Sequence, residues 1–284
     1  MIPAEFDYVR AGSVDEAVSA LRESGDDAKV MAGGQSLIPL LRLRLAYPSV
    51  VVDVGRVSEM RGVREDGDHL VIGAMTTHYE VLHDPLIREH AGLIAEATET
   101  VADPAVRHRG TFGGSLAHAD PAGDLPAVAL ALGAEFVVAG SGGRRTVAAA
   151  DFFVDYLQTA IAPDEVLVEV RVPKLGAGWG YRYEKFHRVA QSWAIVGVAA
   201  AVRRGNGSIA EARVALTNMG ATPVRAAGVE EALAGASPDA IATASERAAE
   251  GASPPSDLNG KADYREHLAR VLTRRAVTAA SGGS

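Results

Sequence analysis

The chain has 284 residues and a formal net charge of −8, which argues against a protein whose main partner is duplex nucleic acid. It contains no cysteine, so disulfides, thiolate nucleophiles and iron–sulfur clusters ligated by this chain are excluded. Its longest apolar run, residues 194–202, is far shorter than the roughly 20 residues that a membrane-spanning helix needs. The N-terminus lacks a basic segment followed by an apolar stretch, so we expect no signal peptide and a cytoplasmic protein.

The N-terminal segment predicts a small α/β unit, in a chain whose length suggests about two domains. Ser13 and Glu16 have the spacing of a capping box, and apolar residues follow at helical intervals. A buried strand is predicted over 28–31, a helix over 36–45 and a β-branched strand over 50–54.

The middle of the chain mixes strands and short helices. We predict a strand over 69–75 with a helix starting after Thr76 and Thr77, and further elements as follows: a helix over 92–101, a short buried helix over 126–132, a hairpin of 134–139 with 145–149, and a strand over 165–172. The glycine-containing stretch Leu175–Gly178 then marks a domain boundary.

The C-terminal third predicts a three-stranded antiparallel sheet followed by helices. The alternation of Trp179, Tyr181 and Tyr183 indicates a strand. Two more strands are predicted over 194–202 and 209–216, and three helices over 224–234, 238–249 and 264–277. Residues 281–284 are expected to be disordered.

Two similar glycine loops are the most informative motifs. One is Ala32-Gly33-Gly34-Gln35-Ser36 and the other is Thr111-Phe112-Gly113-Gly114-Ser115. Paired glycines let backbone N–H groups approach an anion closely, so two such loops that meet in space could hold both phosphates of a pyrophosphate. Two ordinary turns remain the alternative. The chain has neither a G-x-G-x-x-G fingerprint after a strand nor a P-loop.

Two other segments contain residue types suited to ligand binding. The segment 118–124 has histidine and aspartates, but its proline and glycine favour an irregular loop, with Asp124 as N-cap of the next helix and no bound metal. In the segment 185–193, Lys185 and Trp193 could face an anionic or planar ligand. The alternative there is a charged strand edge with a core tryptophan. No catalytic triad is indicated.

From Phe6 to about Thr278, with both glycine loops and the boundary near 175, the chain resembles the FAD-binding medium subunits of molybdenum hydroxylases, the xanthine oxidase and aerobic carbon monoxide dehydrogenase family. The resemblance implies an α+β fold. An FAD-binding region of the vanillyl-alcohol-oxidase-like (PCMH) type would span 1–175, with subdomains of about 1–57 and 58–175. A C-terminal domain would span 176–280.

The resemblance also implies roles for particular residues. The two loops would wrap the FAD pyrophosphate, Asp124 would contact the adenosine side, Leu167 would lie near the isoalloxazine, and Lys185 would lie near the flavin. Carbon monoxide dehydrogenases place a tyrosine on the flavin where this chain has Trp193, and they tend to have histidine at Gln35. These departures weaken a carbon monoxide assignment. No residue of this chain is expected to act on the substrate.

The implied function is electron transfer within a three-subunit complex. Electrons would come from two [2Fe–2S] clusters in a small subunit and pass through FAD to an external acceptor, while substrate is oxidised at a molybdenum cofactor in a large subunit. The complex is expected to be a dimer of heterotrimers. Two alternatives remain: a stand-alone flavin-dependent oxidase or dehydrogenase, and a flavin-free scaffold that only assembles partners.

Overall fold

A computed structural model describes residues 2–282, which form three sheets with helices packed against them, and one further two-stranded ribbon. The first sheet is parallel with strand order β1-β3-β2. It belongs to a unit with the following elements: β1 (Asp7–Arg10), α1 (Val14–Ser24), β2 (Ala28–Met31), α2 (Leu37–Leu43) and β3 (Val50–Asp53). The α/β unit predicted from the sequence is thus confirmed.

The second sheet is antiparallel, with strand order β4-β5-β10-β6-β7. Its strands and the connecting elements are β4 (Val63–Asp66), β5 (His69–Gly73), α3 (His78–His83), α4 (Pro85–His90), α5 (Gly92–Glu99), α6 (Pro104–Arg107), α7 (Phe112–His118), α8 (Asp124–Leu132), β6 (Glu135–Gly140), β7 (Gly143–Ala148), α9 (Ala149–Phe152), β8 (Phe153–Asp155), β9 (Gln158–Thr159) and β10 (Val166–Pro173). β8 and β9 form the separate ribbon.

The third sheet is antiparallel and has four strands, where the sequence predicted three. It runs β11-β12-β13-β14 and is followed by helices: β11 (Trp179–Phe186), β12 (Val196–Gly205), β13 (Ser208–Thr217), β14 (Val224–Arg225), α10 (Ala227–Leu233), α11 (Ile241–Ser245) and α12 (Ala262–Ala280). The extra strand β14 was predicted as the start of a helix. It instead pairs with Ala215 and Leu216 at the edge of β13, which would otherwise leave backbone groups unpaired.

Two other predictions in this region were wrong in part. The helix predicted over 238–249 is an α-helical turn, α11, between two 3₁₀ turns. The Ser245 hydroxyl donates to the carbonyl of Ile241, a bond that bends helices at this spacing. Of the tail expected to be disordered, Ser281 is buried and its N–H donates to Val277, whereas 283–284 lie outside the described residues.

Strand β12 is buried on both faces from Val196 to Val202, which explains its uninterrupted apolar run. Ala199, Ala201 and Ala215 face the same core as the second sheet. The opposite face packs against α10, α11 and α12 in a second core that includes Val198 and Leu216. Small side chains on the first face allow β11 and β12 to lie close to α5 and α8.

Candidate functional site

The first glycine loop, residues 32–36, connects β2 to α2. Gly34 has φ +72°, a left-handed conformation that suits glycine, and its carbonyl accepts from Ile38. No backbone N–H from Gly33 through Ser36 donates to a protein acceptor within the part of the chain that the structure describes. The loop therefore offers a row of backbone donors suited to an anion.

The second glycine loop, residues 111–115, forms the N-cap and first turn of α7 and is more fully bonded within the protein. The Thr111 hydroxyl accepts from Gly114 N–H at 3.1 Å, which caps α7. The N–H groups of Phe112 and Gly113 donate to the carbonyls of Thr76 and Ala74. These bonds hold the loop against the second sheet. Because its N–H groups already donate within the protein, the loop shapes the site but offers few free hydrogen-bond donors.

The structure brings the two loops together. A Cβ built on Gly33 would overlap the carbonyl oxygen of Arg109, next to the start of the second loop. A Cβ built on Gly114 would lie 3.5 Å from the Ala32 side chain. The glycines therefore allow backbone to approach backbone and leave a cradle lined with N–H groups. These features fit the pyrophosphate of a dinucleotide such as FAD.

Asp124 and Lys185 form a buried ion pair between the second and third sheets. Lys185 Nζ lies 2.8 Å from Asp124 Oδ2 and also donates to the carbonyl of Thr100 at 3.0 Å. The two side chains are each 3% exposed. Asp124 is the first residue of α8, with Gly123 at the N-cap position, so its carboxylate is turned toward β11 and does not cap the helix as predicted.

Tyr183 completes this buried cluster. Its hydroxyl donates to Asp124 Oδ1 at 2.7 Å and lies 3.4 Å from Thr217 Oγ1. Burial raises the pKa of Asp124, while the Lys185 ammonium and the Tyr183 hydroxyl act in the opposite direction by favouring the carboxylate. Burial and the neighbouring Asp124 carboxylate raise the pKa of Tyr183 well above its usual value, so the phenol keeps its proton.

Trp193 is a surface residue, 56% exposed, and not a core tryptophan. It lines a cavity of about 410 Å³, together with Asp120 and Pro121 after α7, Tyr156 from the β8–β9 ribbon and Arg188. The cavity is thus lined by the segment after the second glycine loop, by the segment after Lys185 and by C-terminal residues that include Asn218 and Asp257. An exposed aromatic ring in its wall is suited to stacking on a planar group.

Leu167 lies in the main core and is 5% exposed. It stands beside a bulge in β10, where the pairing with β6 shifts between Leu167 and Glu169. The carbonyl of the next residue, Val168, accepts from Ala74, whose own carbonyl holds Gly113 of the second loop. Leu167 therefore lies one strand away from the second glycine loop.

The segment 74–78 supports the second loop and is not among the site residues predicted from the sequence. Besides the bonds of Ala74 and Thr76 to that loop, the N–H of His78 donates to the carbonyl of Gly110. The His78 ring is 3% exposed and packs against the Gly110 backbone, and its Nδ1 has no hydrogen-bond partner among the described residues. Burial, with the nearby Arg107 charge, lowers the pKa of His78 to about 4. The only sequence signal of the segment 74–78 was the pair Thr76 and Thr77, which predicted the start of a helix.

Neither a metal cluster nor a membrane-spanning helix is present in residues 2–282. No group of three or more histidine, aspartate or glutamate side chains there could hold a metal ion. No helix in the same range is both long enough and apolar enough to cross a membrane.

Comparison with known proteins identifies both parts of the chain. Residues 4–175 match the family described as the FAD binding domain in molybdopterin dehydrogenase, and residues 181–280 match the CO dehydrogenase flavoprotein C-terminal domain. The chain is 42% identical to the carbon monoxide dehydrogenase medium chain of Hydrogenophaga pseudoflava, over 99% of this chain and 98% of the relative.

Two further comparisons agree. The chain is 38% identical to the 6-hydroxypseudooxynicotine dehydrogenase complex subunit alpha of Paenarthrobacter nicotinovorans, over 99% of this chain and 96% of the relative. It superposes with a TM-score of 0.97 on a chain of the solved carbon monoxide dehydrogenase of Hydrogenophaga pseudoflava, at 43% identity and 99% coverage of both chains.

Proposed function

Because this chain belongs to the FAD-binding medium subunits of the carbon monoxide dehydrogenase and xanthine dehydrogenase family, we propose that it is the electron-transfer subunit of a molybdenum hydroxylase complex. It takes electrons from [2Fe–2S] clusters in a small subunit and passes them to an external acceptor. A large subunit holds the molybdenum cofactor and oxidises the substrate. The lack of cysteine supports this division, because the clusters then need ligands from another chain.

The observation that carries the proposal is the cradle formed by the two glycine loops. The N–H groups from Gly33 through Ser36, which have no acceptor among residues 2–282, would bind the pyrophosphate oxygens, and the Thr111–Ser115 loop would close the cradle from the other side. The chemistry supplied by FAD held there would be electron transfer, and the protein would supply its binding, orientation and electrostatic surroundings.

Lys185 and Asp124 act at the same part of the cofactor. The sequence predicts them at different ends of FAD, and their 2.8 Å contact supports a shared position along the cofactor. The Lys185 ammonium is fixed at two points and would stabilise negative charge on a reduced flavin bound beside it. Asp124 keeps this buried ammonium from being an unpaired charge.

The cavity beside Trp193 would receive the flavin ring, and the indole would offer it a stacking surface. Leu167 lies in the main core on β10, behind the second glycine loop, and supports the site from there. Relatives whose names refer to carbon monoxide and to 6-hydroxypseudooxynicotine are similarly close to this chain. That similarity fits a subunit that contacts the flavin rather than the substrate.

The complex is a dimer of heterotrimers in this proposal, and its electron flow can be tested directly. The FAD-loaded chain is mixed under nitrogen with its small subunit, which has been reduced by dithionite and freed of excess reductant. The flavin absorption should bleach while the absorption of oxidised clusters returns. If the clusters stay reduced in the presence of the oxidised flavoprotein, the proposed electron path is wrong.

A further inference from the structure

The Asp124 carboxylate is held by two donors that come from the same strand, β11. Lys185 donates to Oδ2, and Tyr183 donates to Oδ1 from two residues earlier. No other donor reaches either oxygen among the residues described. Removal of the Tyr183 hydroxyl would therefore leave one oxygen of a buried carboxylate without a hydrogen bond.

Tyr183 is itself fixed at both of its ends. Its backbone N–H donates to the Glu96 carboxylate on α5 at 2.9 Å. Its hydroxyl lies in space left by Gly197 on β12, where an added Cβ would come within 2.5 Å of the phenol oxygen. A tyrosine held in this way has little freedom to move away from Asp124.

The neighbouring polar groups do not replace the hydrogen bond from Tyr183 to Asp124. His187 lies beyond Lys185 on the same segment and makes no hydrogen bond to Asp124 among the described residues. Glu96 is occupied by the Tyr183 backbone, and Arg182 lies 3.9 Å from it on the outer side. Thr217 lies beyond normal bonding distance for two hydroxyls, at 3.4 Å from the phenol.

We propose that Tyr183 is a positioning residue: by fixing Asp124 Oδ1 across the boundary of the two domains, it holds the Lys185 ammonium at one place relative to bound FAD. The inference rests on the proposed function of Lys185 toward the flavin. Tyr183 makes no direct contact with the cofactor in this proposal, because its hydroxyl already donates to the Asp124 carboxylate.

The test compares two tyrosines of the same strand in the full chain. Tyr183→Phe should raise the FAD dissociation constant about tenfold, since the Lys185 ammonium is no longer held in the position that binds the cofactor. It should also shift the flavin midpoint potential to more negative values, because a looser ammonium stabilises the reduced cofactor less. Tyr181→Phe is the matched control. Tyr181 packs against Gly92, and its hydroxyl has no hydrogen bond among residues 2–282. This control should leave both quantities unchanged.

A double-mutant cycle separates positioning from simple packing. In a Lys185→Met background, Tyr183→Phe should no longer shift the flavin potential, because the charge that it positions is gone. If Lys185→Met does not fold, the pair Asp124→Asn/Lys185→Met replaces it as the background, since it leaves no unpaired charge. Equal shifts in potential with and without Lys185 would overturn the inference.

The outcomes also distinguish this inference from the proposed function. If the wild-type chain binds no FAD, the proposed function fails. If FAD binds and Lys185→Met changes neither affinity nor potential, the role of Lys185 fails and the inference falls with it. If Lys185→Met has an effect and Tyr183→Phe lowers only the melting temperature, the positioning role alone is wrong.

Discussion

Gly33 lies against the backbone of Arg109 and Gly110, just before the second glycine loop. Alanine there would place its Cβ against the carbonyl oxygen of Arg109, which cannot move aside without shifting the second loop. We expect Gly33→Ala to lower FAD affinity at least about tenfold, because the cradle must open and its N–H groups lose their alignment. FAD titration followed by flavin fluorescence measures the change.

A matched glycine controls for the substitution itself. Gly176 has no heavy atom within 4 Å of an added Cβ and no positive φ, so Gly176→Ala should bind FAD like the wild type. Similar affinities for Gly33→Ala and wild type would show that the loops do not form the pyrophosphate site.

His78 gives the fold a pH dependence whose sign follows from its lowered pKa. The native pKa is about 4, against 6.5 for the free side chain. Below 6.5 the unfolded chain therefore takes up a proton that the native chain refuses. The free energy of unfolding should then fall as the pH drops from about 6.5 to about 4, by about 3 kcal/mol from this group.

Replacement of His78 isolates its contribution. His78→Asn should flatten the stability profile in this pH window, measured by urea unfolding at several pH values. His267→Asn, at an exposed position, should keep the wild-type slope. A His78→Asn profile as steep as that of the wild type would assign the pH dependence to other groups.

At the scale of elements, two helix N-caps of similar chemistry have different surroundings. Thr77 caps α3 in a reciprocal capping box with Glu80, and Thr77 also forms an isolated β-bridge with Thr111 of the second glycine loop. Ser13 caps α1 far from that loop, and Glu16 reaches back to the N–H of Gly12.

Removal of each cap should therefore have different effects on cofactor binding. Thr77→Ala and Ser13→Ala should each lower the free energy of unfolding by about 1 kcal/mol. Only Thr77→Ala should also weaken FAD binding, because it loosens the segment that holds the second loop. Equal FAD affinities in the two variants, despite similar losses of stability, would contradict this coupling.

Elements with strong local signals could be predicted from the sequence. The Ser13 cap, the alternation in β10 and the apolar run of β12 all appear in the structure near their predicted positions. β14 could not be predicted, because a two-residue strand depends on the free edge of β13 and not on its own residues. For the same reason the support of the second loop by residues 74–78 is a tertiary contact without a local pattern.

The candidate site could likewise be predicted from the sequence only in part. Both glycine loops are visible as motifs, but only the fold shows that Arg109 lies against Gly33. Lys185 and Asp124 are both predicted as site residues from the sequence. Their ion pair and the hydrogen bond from Tyr183 to Asp124 depend on how β11 packs against α8. Residue spacing along the chain does not predict contacts of this kind between distant segments.

For the whole molecule, the shared core between the first 175 residues and the third sheet has a direct consequence. Ala199, Ala201 and Ala215 present an apolar face that only the first part of the chain covers. We propose that the domain boundary lies near residue 175 and that the C-terminal part depends on its neighbour for solubility. Expressed alone, residues 176–284 should aggregate or bind a hydrophobic dye.

Co-expression with residues 1–175 provides the control for this fragment. The two pieces should associate and give a soluble complex that elutes with the wild-type chain in gel filtration. A C-terminal fragment that is soluble, monomeric and cooperatively folded by itself would contradict the prediction.

The central claim is that this chain holds FAD between its two glycine loops, and the visible absorption spectrum of the purified chain tests it most directly. The account predicts flavin bands, either as purified or after addition of FAD, at one FAD per chain. These bands should bleach with dithionite under nitrogen and show no iron–sulfur absorption beneath them. A chain that stays colourless and takes up no FAD, alone and together with its small and large subunits, would contradict the account and favour a flavin-free scaffold.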